Sequence, residues 1–121
     1  MMGVYAEKTV DVIPLHLKRK YFLRSKDRHN PTVRVIPQLQ KNISLKYLNL
    51  MDSVYDITDM YDVIFCRNVL IYFDHETQEK VINKLCRHLI PGGYLFIGHS
   101  ESVANMNVPL QSVKPTIFKK I

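Results

Sequence analysis

Two short apolar runs, DVIFC at Asp62–Cys66 and YLFIG at Tyr94–Gly98, bracket a stretch of helical periodicity, and that spacing constrains the fold more than any other feature. After its first residue the first run is continuously apolar and rich in β-branched and aromatic types, as expected of a strand buried on both faces of a parallel sheet. Asp74 can cap a following helix, with Glu76 and Glu79 near the positive end of its dipole. Val81, Ile82, Leu85 and Leu89 fall on one face. The helix is expected to stop at IPGG, because Pro91 cannot continue it and Gly92 and Gly93 accept a left-handed turn. Strand, helix and strand in about 37 residues predict a right-handed parallel crossover, the unit of doubly wound α/β sheets.

Upstream, ISLKYL at Ile43–Leu48 alternates as a further strand would, and Asn49, Leu50 and Met51 follow it. Downstream, Leu110–Val113 and Thr116–Lys120, parted by Lys114 and Pro115, predict an antiparallel hairpin on the sheet edge. The front segment, residues 1–42, differs in character from residues 43–121. Pro14 can open a short helix LHLKRKYF, and LRSKDRHNPTVRVIP offers two extended pieces around a polar turn at Asp27–Pro31. It reads as a small basic β appendage on the sheet domain.

Charge separates the same two parts. Residues 1–47 hold ten Lys/Arg against three Asp/Glu, and residues 48–121 hold seven against eight. A basic front favours an acidic partner, or equally a solvated surface. No apolar stretch approaches the roughly 20 residues of a membrane span, and the front lacks a secretory h-region, so the expected location is the cytoplasm. Cys66 and Cys86 form neither a CxxC pair nor a disulfide framework. The five histidines are scattered without metal-ligand spacing, and no metal site is expected.

Ligands of doubly wound sheets bind beyond the carboxyl ends of the strands. Polar groups at such positions are Asn49, then Arg67 and Asn68, then His99, Ser100 and Glu101. Each alone is a weak signal.

Together with the element order, the runs YDVIFCRNVLIYFDHETQ (Tyr61–Gln78) and LIPGGYLFIGHSES (Leu89–Ser102) and the YFLR…VRV segment closely resemble the catalytic domain of CheR-type chemotaxis receptor methyltransferases, from about Gly3 onward. The resemblance implies a partial class I, Rossmann-like sheet and transfer of methyl from S-adenosylmethionine to receptor glutamates, giving methyl esters and S-adenosylhomocysteine. It implies Asn49 and Leu50 near the cofactor's adenosine part, Arg67 and Asn68 near the cofactor, and Tyr72 beside the transferring methyl. The chemistry is compatible. A glutamate with a pKa of about 4.3 is already a nucleophile at neutral pH and needs no general base. Arg67 could hold its carboxylate and Tyr72 orient one oxygen. The bland readings are a strand-end salt bridge for Arg67 and a core aromatic for Tyr72. Cytosine methylation would want a Pro-Cys nucleophile, whereas Cys66 follows Phe65. Amino-group methylation resembles an Asn or Asp followed by two prolines, whereas Val69 and Leu70 follow Asn68.

The family's glycine-rich first strand-turn, its ribose-holding acid and its helical front domain have no counterpart here. The expectation is therefore an incomplete cofactor pocket, dependence on the missing N-terminal half of the same enzyme, inactivity of the chain alone and self-association through exposed sheet edges. Family members that dock on a receptor tail carry glycines in the turn after YFxR; this chain has Arg24, Ser25, Lys26, Asp27 and Arg28. Arg24, Lys26 and Arg28 are the candidates for contact with the receptor's cytoplasmic domain. Two other readings stay open: a non-catalytic chemosensory binding module, and a fragment of a nucleic-acid methyltransferase.

Overall fold

The computed structural model describes residues 3–121, and the chain divides into two compact units, Met1–Tyr47 and Leu48–Ile121. In the front unit, three short strands β1 (Val4–Ala6), β2 (Phe22–Arg24) and β3 (Thr32–Val35) form an antiparallel sheet in the order β1-β3-β2. Helix α1 (Leu15–Tyr21) starts directly after Pro14, whose fixed φ suits a helix entry. Helix α2 (Pro37–Gln40) follows β3. The polar turn between β2 and β3 is held by short-range bonds: the Asp27 amide donates to Ser25 Oγ and the His29 amide to Asp27 Oδ1. The sequence reading foresaw two extended pieces; β1 is the third, on the other edge of β3.

The back unit contains β4 (Tyr61–Cys66), α3 (His75–Cys86), β5 (Leu89–Ile97), β6 (Leu110–Lys114) and β7 (Ile117–Lys120). The sheet order is β4-β5-β7-β6, with β4 and β5 parallel and the remaining pairs antiparallel. This is a mixed α/β sheet in which α3 makes the crossover and the expected hairpin forms one edge. Asp74 caps α3 by accepting from the Thr77 amide at 2.8 Å. Val81 and Ile82 of α3 are fully buried in one core with Leu70, Leu89, Leu95, Ile97 and Phe118. Each such side chain contributes on the order of 1.5–3 kcal/mol by leaving water.

Three expectations are corrected. Residues 43–49 form no strand, and Ile43, Leu45 and Tyr47 are exposed. Alternation alone does not make a strand where no partner backbone takes up its hydrogen bonds. Helix α3 ends at Cys86, and Leu89 already belongs to β5, paired with Tyr61. Its end is marked by Lys120, whose Nζ donates to the carbonyls of Cys86 and Leu89 at 2.6 and 2.7 Å. Pro91, Gly92 and Gly93 instead form an irregularity within β5, where pairing jumps from Tyr61↔Leu89 to Val63↔Tyr94. Gly92 is left-handed there (φ +82°). Finally, β4 is buried on one face only. Cys66 is buried and Ile64 packs on the core, while Tyr61, Val63 and Phe65 are exposed. No second helix covers that side among the described residues.

Candidate functional site

The carboxyl end of β4 runs into a tight loop whose inner atoms are consumed and whose outer side chains are free. Leu70 plugs the core with no exposure. Around it, Leu70–Tyr72 make one turn of 3-10 helix, which throws Tyr72 outward to 80% exposure. Tyr72 is thus no core aromatic. Arg67 is also exposed, and no ion pair engages it among the described residues. Asn68 adopts a left-handed backbone (φ 60°), a region in which Asn is enriched over other non-glycine residues.

Two side chains hold this loop. Glu101, buried just past β5, accepts from the amides of Asn68, Val69 and Ile71 and from that of Gly98. Gln78, on the first turns of α3, donates its amide hydrogens to the carbonyls of Leu70 and Phe73 at 2.7 and 3.0 Å. Burial pushes the Glu101 carboxyl up, but the amides of Gly98 and the loop outweigh it and leave it below the usual carboxylate range. Glu101 is therefore ionised at neutral pH. Burial, and then the Glu101 charge, push the Cys66 thiol up to about 11. That thiol is protonated at neutral pH and serves packing, not attack.

Asn49 and Leu50 do not follow a strand. They form a turn in which Asn49 Oδ1 accepts from the Met51 amide at 3.0 Å and the Asn49 carbonyl from the Asp52 amide. The turn is fastened through the Leu50 carbonyl, which accepts from the Tyr55 hydroxyl and from Lys84 Nζ, both at 2.8 Å. Tyr55 is buried, which pushes its phenol up to about 12. Leu50 and Val69 pack against the same core cluster, so the two segments hang from one hydrophobic body. A cavity of ≈ 660 Å³ lies along the C-terminal half of α3, lined by Met51, Lys84, Arg87 and Lys120 among others, and includes neither Arg67 nor Tyr72. Lys84 and Lys120 are there already committed to backbone carbonyls.

In the front unit, Arg24 and Arg28 both reach Glu7, at 3.4 and 2.8 Å. The Arg28 hydrogen bond, with help from Arg24, holds the Glu7 carboxyl below its ordinary range despite some desolvation. Lys26, between them, has no ion pair among the described residues.

Sequence reasoning found Glu101 only as one of three polar residues past a strand, and missed Gln78, Tyr55 and Lys84. A carboxylate three residues beyond a strand-ending glycine was a usable signal. A glutamine within a helical pattern gives none.

A family model described as "CheR methyltransferase, SAM binding domain" matches residues 1–119. The chain is 34% identical over 116 residues to chemotaxis protein methyltransferase 2 of Pseudomonas aeruginosa, covering 96% of the chain and 41% of that protein. It is 38% identical over 118 residues to the chemotaxis protein methyltransferase of Borreliella burgdorferi, covering 98% of the chain and 40% of that protein. To the Escherichia coli chemotaxis protein methyltransferase it is 38% identical over 105 residues, covering 86% and 36%. The chain thus spans about two fifths of the length of these curated relatives.

Proposed function

The chain belongs to the CheR methyltransferase family, and from that premise we propose that it supplies one wall of a methyl-transfer site esterifying glutamate side chains of chemotaxis receptors in the cytoplasm. The observation that carries the reading is the loop after β4, whose backbone is spent on Glu101 and Gln78 while Arg67 and Tyr72 project freely. In this reading the sheet is part of a doubly wound, Rossmann-like sheet and the front unit is a basic appendage to it.

The residues present fit S-adenosylmethionine in part. Asn49, Leu50, Arg67 and Asn68 would line it on this side, and the group would supply an electrophilic methyl. Arg67, unpaired, holds the substrate carboxylate by charge and Tyr72 orients one of its oxygens. No residue is needed to remove a proton, because the glutamate is already ionised. The uncovered face and free edge of β4 fit completion by the further segment that the full-length relatives carry, and the same edge suits self-association when that segment is absent.

Receptor contact through Arg24, Lys26 and Arg28 draws support from the charge of the turn, although two of the three are shared with Glu7. Reversal of the three charges is expected to abolish capture by receptor cytoplasmic domains in a pull-down.

Isothermal titration of the 121-residue chain with S-adenosylmethionine tests the central claim. Dissociation constants well above micromolar are expected; micromolar binding would show a pocket complete within this chain and overturn the one-wall reading.

A further inference from the structure

The geometry points to Glu101 as the positioning residue that holds Arg67 and Tyr72 in place, through a carboxylate that gathers the amide hydrogens of the loop carrying them. The inference rests on the proposed reading of those two side chains and names what keeps them aimed.

Four donors converge on one side chain. Oε1 accepts from the Gly98 amide at 2.6 Å and the Asn68 amide at 3.0 Å. Oε2 accepts from Val69 at 3.1 Å and Ile71 at 3.3 Å. An ionised carboxylate has two oxygens with about four lone-pair sites and no hydrogen of its own, so only this form satisfies four donors at once. A glutamine of the same shape would turn an NH2 toward two of them. The surroundings leave little room for another arrangement. A Cβ on Gly98 would lie 2.5 Å from Asn68 Oδ1 and 2.7 Å from Glu101 Oε1, so the strand end must be glycine for the carboxylate to reach the loop. Asn68 meanwhile holds a left-handed backbone, a conformation that persists only where its surroundings fix it. Gln78 takes the carbonyl side of the same loop. The backbone is thereby fastened on its donor side by a strand-end acid and on its acceptor side by a helix, while the two outward side chains stay uncommitted.

The test is amide exchange and nitrogen-15 spectroscopy on the 121-residue chain and its Glu101→Gln variant. The Asn68, Val69 and Ile71 amides are expected to exchange about tenfold faster in the variant, the loss of roughly one net hydrogen bond each, while amides of α3 and β5 keep their protection. Unchanged protection of the three loop amides in the folded variant overturns the inference. If the variant does not fold, the unaltered chain supplies the same test. Its three loop amide resonances are expected to follow the titration of the Glu101 side-chain carbon, and resonances that ignore it overturn the inference. The Cys66 thiol, pushed up to about 11 by burial and then by the Glu101 charge, stays protonated across that titration and does not interfere.

Millimolar S-adenosylhomocysteine then separates positioning from mere support. It is expected to shift Arg67 and Tyr72 signals in the unaltered chain, to lose most of that effect in Glu101→Gln, and to regain part of it in Glu101→Asp, which keeps the charge. Equal shifts in Glu101→Gln overturn the inference. Fast exchange in the variant with no ligand shift in the unaltered chain overturns the pocket reading instead and leaves the loop anchor standing.

Discussion

The two faces of the four-stranded sheet are unlike. On one, Leu95, Ile97 and Phe118 are shut into a core with α3; on the other, Tyr61, Val63, Phe65 and Tyr94 stand in solvent, with the Phe65 and Phe96 rings tilted against each other at 4.8 Å. The loop after β4 hangs from the covered face, since Leu70 is buried there and Glu101 and Gln78 both bond to it. The loop can therefore be ordered although the other face is bare. One covered face is enough to order a loop at the sheet's end.

The largest effect belongs to the covered face. Ile82→Ala is expected to cost about 2–5 kcal/mol through lost burial and a residual cavity, read from urea unfolding. Next comes the irregular stretch of β5 that lets the strands meet. A Cβ on Gly93 would lie 2.7 Å from Leu89 Cδ1 and 2.8 and 2.9 Å from the carbonyls of Asp62 and Ile90. Gly93→Ala is thus expected to destabilise by roughly 1–3 kcal/mol, as overpacking does. A loss below that range would show the backbone there to be more yielding than drawn.

A third prediction sharpens the role of the finished face by pH. Glu101 has a folded pKa below its ordinary 4.5. Its contribution to stability is therefore fully present above about 4.5 and is lost as pH falls through the lower folded value. Glu7 and Asp74, held down by Arg28 and Thr77, act in the same direction. The difference between unaltered chain and Glu101→Gln isolates the one group: their urea midpoints should be farthest apart between pH 5 and 7 and approach each other in acid. Parallel pH profiles would refute the assignment. Smallest is the bare face, where Phe65→Lys is expected to change stability by no more than about 0.5 kcal/mol while lowering any self-association seen by light scattering. A loss comparable to Ile82→Ala would mean that face is not bare in solution.

Much of the finished half was legible in the sequence. DVIFC, the Asp74 cap and the Val81, Ile82, Leu85 face describe local preferences that agree with one another, and β4 and the start of α3 form where they point, although α3 stops and β5 begins before the IPGG signal. The Leu110–Lys120 hairpin was legible for the same reason. What failed depended on partners. A continuously apolar run implied two covers for β4, but a sequence states only the demand for burial. ISLKYL alternates, yet Ile43, Leu45 and Tyr47 meet no neighbouring strand and stay exposed. The residues proposed for the site were visible through motif resemblance, whereas Gln78 and Lys84 act by side-chain bonds to backbone carbonyls that leave no periodic trace.

Lys120 has a consequence for how the back unit opens. Its ammonium joins a strand of the hairpin to the final carbonyl of α3 and the first of β5, so the helix cannot unravel its last turn without stripping a partly buried cation of one of its acceptors. Helix and hairpin, though remote in sequence, are therefore expected to open as one cooperative unit. Their slowest-exchanging amides should report one common free energy, and that shared value would mark the smallest piece of this protein able to hold itself together.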